Sequence, residues 1–153
     1  MIMEKVFKVV FDKNSYELNI DYDNFTESER EIISNILPDN YFEWNSKDGN
    51  YTIIMILNDH NITKYISILK RNNIKFKLIN LSNDILENGI DLSKELIPHI
   101  NIINSTKWSK FKSKIIKWNL EHLDIDIILD RINKVGSVDK LTQIEKQFLD
   151  NYK

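Results

Sequence analysis

The alternation of hydrophobic and polar positions divides the first 81 residues into short strands and two helices. Apolar runs and strict alternation are typical of strands, whereas apolar residues recurring every three or four positions are typical of helices. The pattern predicts strands at residues 6–11, 16–20, 41–44, 51–57 and 74–78. It predicts a helix after Thr26, which has capping-box spacing to Glu29, and this helix ends at Pro38. A second helix is capped by Asn61 and ends at Asn72.

The order of these elements predicts a fold. Without the strand at 16–20, the order is βαββαβ, which is that of ferredoxin-like folds. The first strand and 51–57 are the most apolar, as expected for central strands covered on both faces, and Asp48-Gly49 predicts a hairpin turn. Apolar residues alternate with lysines in 74–78, which is typical of an edge strand. We therefore predict an α+β fold, with a ferredoxin-like sheet domain over 1–81 that carries one extra N-terminal strand.

The chain changes character after Leu81. We predict a connecting segment over 82–104, with one short helix near 92–96. Residues 105–153 are predicted to form a helical region, which includes a C-terminal two-helix module at 124–153.

Charge is segregated along the chain although the net charge is only −2. Residues 12–59 contain eleven acidic and three basic side chains. Residues 64–77 and 107–117 each contain five basic side chains and no acidic one. Either these are solvated faces of separate elements, or the protein has an acidic and a basic side that steer a charged partner.

Several kinds of catalytic site are excluded by residue content. The absence of cysteine excludes disulfides, thiol nucleophiles and cysteine-ligated metals. Glycine occurs only at 49, 89 and 136, so no glycine-rich phosphate loop exists, and the three histidines have no metal-binding spacing. Asp126 and Asp130 lie four residues apart, a spacing that could hold a metal, but no histidine or further carboxylate is placed to complete the shell, and acids are ordinarily enriched at a helix N-terminus. No cofactor is predicted, and carboxylate chemistry is the one enzymatic alternative left open.

The N-terminus predicts a cytoplasmic location. Charges occur within the first five residues, so no signal peptide is expected. No stretch approaches the roughly 18 apolar residues that a membrane helix needs.

The segment 107–118 is the most informative stretch for function. It combines an apolar stripe with a basic stripe of the same helical spacing. The candidate interaction residues are Lys107, Trp108, Lys110, Phe111, Lys114, Lys117 and Trp118. Either the aromatics pack inside and the lysines are solvated, or the lysines contact nucleic-acid phosphates or an acidic protein, or the helix lies on an anionic membrane. The following acids Glu121, Asp124 and Asp126 disfavour the membrane.

The last residues predict a helical hairpin. A first helix from Asp126 ends before Gly136, and Thr142 and Glu145 have the spacing of a second capping box. The facing apolar positions are Ile128, Ile132 and Val135 on one helix and Ile144, Phe148 and Leu149 on the other.

These residues resemble a short C-terminal domain of unknown function found in several bacterial proteins, including rhomboid-like membrane proteins. The matching positions are Ile128 to Ile132, Gly136, Leu141, Thr142, Glu145, Lys146, Phe148 and Leu149. The resemblance covers about the last 28 residues and implies a helical tail module, a docking element with no established activity. This chain differs from the membrane examples because no membrane span is predicted.

Together these features favour a non-enzymatic protein-interaction module of the bacterial cytosol with a protein partner. An immunity-type or regulatory partner protein is its most concrete form. The alternative is a nucleic-acid-binding protein that uses the basic amphipathic helix 107–118, although the central strands lack the aromatic signature of RNA-recognition domains.

Overall fold

The computed structural model describes residues 3–12, 25–45 and 50–152. Within them the fold is α+β, as predicted, with a four-stranded antiparallel sheet and seven helices. The chain divides into two compact units, residues 1–81 and 82–153. The predicted strand at 16–20 and the Asp48-Gly49 turn lie outside the described residues.

The first unit contains the sheet and two helices. Its elements are β1 (Glu4–Phe11), α1 (Glu27–Ile36), β2 (Tyr41–Asn45), β3 (Tyr51–Asn58), α2 (Asp59–Arg71) and β4 (Phe76–Asn80). The strand order is β2-β3-β1-β4 and each neighbouring pair is antiparallel. Val9 lies opposite Ile53 on β3 and opposite Leu78 on β4. Because Thr52 to Leu57 are all buried, the prediction that this strand is covered on both faces is confirmed.

Alternate residues of β1 and β3 form a core with the two helices. Its buried members are Phe7, Val9, Phe11, Phe25, Ile36, Leu37, Ile53, Met55, Leu57, Ile62, Tyr65, Ile68, Leu69 and Ile74. Successive strand residues point to opposite faces, so one face of each strand supplies this core.

The helix starts show where local sequence signals succeed and where they mislead. The capping box of α1 is confirmed: Glu29 N–H donates to Thr26 Oγ1 at 3.1 Å, and Thr26 N–H donates to Glu29 Oε1 at 2.8 Å. Helix α2 is capped by Asn58 and not by Asn61, because Asn58 Oδ1 accepts the Asn61 N–H at 2.8 Å. Asn61 is thus the third residue of the helix.

The last strand also begins later than predicted. Ile74 is buried in the core, and its N–H donates to Leu69 O at 3.0 Å, which closes the end of α2. The strand therefore starts at Phe76, and β4 lies at one end of the described sheet order, in the predicted edge position.

The second unit is helical. Its helices are α3 (Ser82–Asn88), α4 (Leu92–Glu95), α5 (Ser105–His122), α6 (Ile125–Val135) and α7 (Gln143–Asn151), with 3-10 turns at Ile97–His99 and Val138–Lys140. The predicted short helix near 92–96 is present, whereas α3 was not predicted. Helix α3 contacts α5 and α6, so residues 82–104 are part of this compact unit rather than a connector outside it.

A second core joins the C-terminal helices. Leu123, Ile128, Leu141 and Ile144 are buried in it. The predicted contact positions Ile132, Val135, Phe148 and Leu149 pack against this cluster, and Leu86 of α3 joins them. The predicted helical hairpin is therefore confirmed.

Candidate interaction surface

Helix α5 separates an apolar side from a basic side. Trp108, Phe111 and Trp118 are buried, together with Ile115. Their spacing of three, four and three residues places them on one side of a helix. These aromatics belong to the predicted interaction set, but their burial leaves them inaccessible to a partner. The part of that set that the structure places at the surface consists of the lysines.

The exposed side of α5 carries Lys107, Lys110, Lys114 and Lys117, which we call the α5 lysine face. At about 100° and 1.5 Å per residue, the four positions lie within an arc of roughly 80° and extend over about 15 Å. Lys117 Nζ lies 3.8 Å from Glu121 Oε1, and both side chains are exposed. This pair offsets part of the positive charge at the C-terminal end of the face.

A pair of exposed isoleucines immediately precedes this helix. Ile102 is 94% exposed and Ile103 is 95% exposed. We call them the isoleucine tip. At such exposure the two side chains bury almost none of their surface in the fold, and side by side they form a small apolar patch of the kind that partners bind. The flanking residues Asn101 and Asn104 are a turn signal in the sequence, but that signal does not predict how exposed the two isoleucines are.

The backbone of the tip is held by reciprocal hydrogen bonds. Asn101 N–H donates to Asn104 Oδ1 at 2.7 Å, and Asn104 N–H donates to Asn101 Oδ1 at 3.0 Å. The Ser105 hydroxyl donates to Ile102 O at 3.0 Å, and Trp108 N–H donates to Asn104 O at 2.9 Å as α5 begins. The two isoleucines are therefore presented by an ordered turn that continues into the lysine helix.

The C-terminal module contains a buried ion pair. Arg131 Nε donates to Glu145 Oε2 at 2.6 Å and Arg131 Nη2 donates to Oε1 at 3.3 Å. Glu145 is also the glutamate of the predicted capping box, since Thr142 N–H donates to its Oε1 at 2.9 Å. Gly136 ends α6 in the left-handed conformation, at φ 92°, as predicted. Within this module Arg131 and Glu145 therefore have a structural role.

The first unit also has an ion pair between a capping-box glutamate and an arginine, but here the arginine is exposed. Glu29, the capping-box residue of α1, accepts hydrogen bonds from the guanidinium of Arg71. This ion pair is the main reason that the pKa of Glu29 is lowered to about 2, and burial of the carboxyl opposes the shift. The side chain of Arg71 is 56% exposed, in contrast to the buried Arg131.

A cavity of about 450 Å³ lies between α1, α2 and the sheet of the first unit. Its walls are mainly apolar and aromatic and include Tyr41, Tyr51 and Tyr65. Among the described residues that line it, Glu43 carries a charge. Burial raises the pKa of the Tyr65 phenol, and the nearby Glu43 and Tyr41 raise it further.

The metal site considered for Asp126 and Asp130 is not assembled by the described residues. Among these residues, no group of three or more histidine, aspartate or glutamate side chains is placed to hold a metal ion. Asp126 and Asp130 are exposed on α6. His122 stacks on Trp118, with ring centroids 4.6 Å apart, and its Nδ1 lies 2.8 Å from Trp118 O, so this histidine packs within α5.

Comparisons with known proteins provide no relative for this chain: no family model, curated protein or solved structure matches it. Among the described residues, no helix combines the length and apolarity required to cross a bilayer.

Proposed function

We propose that this protein is a non-enzymatic protein-interaction module of the bacterial cytosol, an immunity-type or regulatory partner protein. Its partner is an acidic protein surface that binds to the α5 lysine face. Complementary charge of this kind raises the rate of association and excludes partners of the wrong sign.

The observation that carries the proposal is the division of α5 into a buried aromatic side and an exposed lysine side. The buried aromatics fix the rotation of the helix, because turning it would expose Trp108, Phe111 and Trp118. A rigid helix holds charged groups more precisely than a loop does. The lysines therefore present a fixed array of positive charge along about 15 Å of surface.

The test compares two charge-reversal variants of the full chain. One carries Lys107→Glu, Lys110→Glu and Lys114→Glu; the control carries Lys64→Glu, Lys70→Glu and Lys75→Glu, which are exposed lysines of the first unit. Both change the net charge equally. We expect binding to immobilised poly-glutamate, measured at low salt, to be lost in the first variant and kept in the control. If both variants lost binding equally, the binding would depend on net charge and not on the α5 lysine face, which would contradict the proposal.

Binding of nucleic-acid phosphates by the same lysines is the second candidate function. The burial of Trp108, Phe111 and Trp118 removes the exposed aromatic rings on which single-stranded bases stack. What remains is phosphate binding alone, whose affinity falls steeply with salt. Duplex DNA that binds more tightly than poly-glutamate, and through the same three lysines, would favour this candidate over the first.

We also propose the ferredoxin-like class for the first unit and a docking role for the C-terminal module. The strand order β2-β3-β1-β4, with the first and third strands in the centre, supports the former. The resemblance of residues 126–149 to a bacterial tail domain supports the latter. An experimental structure that includes residues 13–24 tests the fold class, since an added strand inside the sheet would change the order.

A further inference from the structure

We propose that the partner of the α5 lysine face is an acidic polypeptide segment that also carries apolar side chains, and that the isoleucine tip binds those apolar groups. This inference rests on the proposed function, because the lysines must first attract the acidic segment. It adds a second, apolar contact and thereby defines the chemistry of the partner.

Ile102 and Ile103 are 94% and 95% exposed. Single exposed apolar residues are ordinary, but two adjacent ones at nearly full exposure form a concentrated apolar point. The mutual hydrogen bonds of Asn101 and Asn104 hold the turn in shape. A partner therefore does not need to order this turn, and the entropy cost of binding is reduced.

The isoleucine tip leads directly into the helix that carries the α5 lysine face. Lys107 follows Ile103 by four residues, and Lys110 and Lys114 follow on the same side of α5. Within α5, Lys107 to Lys114 span about 10 Å along the helix axis, the length of roughly three residues in an extended strand, and Ile103 lies in the turn just before the helix begins. A single short peptide segment can thus contact the isoleucines at one end and three lysines along its length.

Other anionic surfaces satisfy the two contacts less well than an acidic peptide does. A nucleic acid offers phosphates to the lysines, but its apolar groups, the thymine methyls and base steps, lie inside the grooves rather than beside the phosphates. The isoleucines also lack the flat faces that stack on single-stranded bases. An anionic membrane that received the tip end-on would leave the distal lysines far from its headgroups. If α5 lay flat on the membrane, exposed Glu121, Asp124 and Asp126 would be repelled. A flexible acidic–apolar peptide meets both contacts at once.

The experiment measures binding of the full chain to two polymers of matched length, poly-glutamate and a random glutamate–tyrosine copolymer. We expect the copolymer to bind about tenfold more tightly, because two isoleucine side chains become buried. Ile102→Ser with Ile103→Ser should remove this advantage and leave the affinity for poly-glutamate unchanged. The matched control is Leu129→Ser with Val138→Ser, which replaces two half-exposed apolar residues of the same unit and should leave the advantage intact.

The outcomes separate this inference from the proposed function. Equal affinity for the two polymers, or an advantage that survives loss of the isoleucines, would overturn the apolar contact while the lysine-dependent binding stands. No lysine-dependent binding to either polymer would overturn both. Isoleucine-dependent binding to vesicles of phosphatidylcholine and phosphatidylglycerol that exceeds binding to the copolymer would show a lipid occupant and overturn the polypeptide partner.

Discussion

Replacing Glu145 by glutamine removes one charge of the buried ion pair with Arg131 while keeping the size of the side chain. The Arg131 side chain is only 9% exposed and that of Glu145 only 3%, so water cannot compensate the guanidinium that is left behind. Loss of one partner from a buried pair costs about 3–5 kcal/mol. Glutamine still offers an oxygen to the Thr142 N–H, whereas Glu145→Ala also loses this cap, which adds about 1 kcal/mol.

Urea unfolding followed by tryptophan fluorescence provides the assay. The chain has three tryptophans, and Trp44→Phe leaves only Trp108 and Trp118, both in the second unit. With a urea dependence of about 1.5 kcal/mol per molar, a loss of ~3 kcal/mol lowers the midpoint by about 2 M. The double variant Arg131→Met with Glu145→Leu should lie closer to the unmodified protein, because it leaves no buried charge unpaired.

Glu29→Gln is the matched comparison, since Glu29 is likewise a capping-box residue bound to an arginine. The partner that it leaves, Arg71, is 56% exposed and stays hydrated. We expect Glu29→Gln to lower the free energy of unfolding less than Glu145→Gln does, with both variants also followed by circular dichroism, because Trp108 and Trp118 report on the second unit alone. The reasoning would be refuted by the reverse order, or by a midpoint shift below about 0.5 M for Glu145→Gln.

Three further predictions concern backbone and protonation. Gly89→Ala should lower the thermal unfolding temperature more than Gly136→Ala does. Both glycines have positive φ, but a Cβ at Gly89 would lie 2.1 Å from Arg131 Nη2, whereas a Cβ at Gly136 would meet open space. The lowered pKa of Glu29, about 2 against an ordinary 4.5, means that its carboxylate stabilises the fold above pH 4.5 and that this contribution is lost as pH falls towards 2. Acid unfolding should therefore depend less on pH in Glu29→Gln, and an unchanged profile would contradict this assignment. The raised pKa of Tyr65 means that stability falls as pH rises beyond about 10, where the unfolded phenol ionises. Tyr65→Phe should reduce this loss of stability at alkaline pH. Circular dichroism measures the unfolding, and absorbance measures the ionisation of the phenols.

Much of the local structure was predictable. The capping boxes at Thr26 and Thr142 and the stop at Gly136 depend on neighbours three or four residues away, so the sequence contains their whole explanation. Asn58 and Asn61 show the limit of this reasoning, since both residues suit a cap and only the path of the chain after β3 selects Asn58. The late start of β4 has the same origin, because Ile74 is drawn into the core by packing.

The interaction surface was predictable only in part. The helical spacing of lysines and aromatics in 107–118 follows from the sequence, but either side of that helix could have faced solvent. The exposure of Ile102 and Ile103 was not predictable, because isoleucine is usually buried and the turn that presents them is closed by side-chain hydrogen bonds.

By itself the sequence determined most of the elements, the α+β class, the absence of thiol and glycine-loop chemistry, and the two capping boxes. These depend on residue type and on interactions within one helical turn or along one strand. Only the tertiary structure decided that Arg131 meets Glu145 and Arg71 meets Glu29, partners separated by 14 and 42 residues. It also decided which side of α5 is accessible. Burial and long-range pairing depend on how distant segments pack, and no local pattern encodes that arrangement.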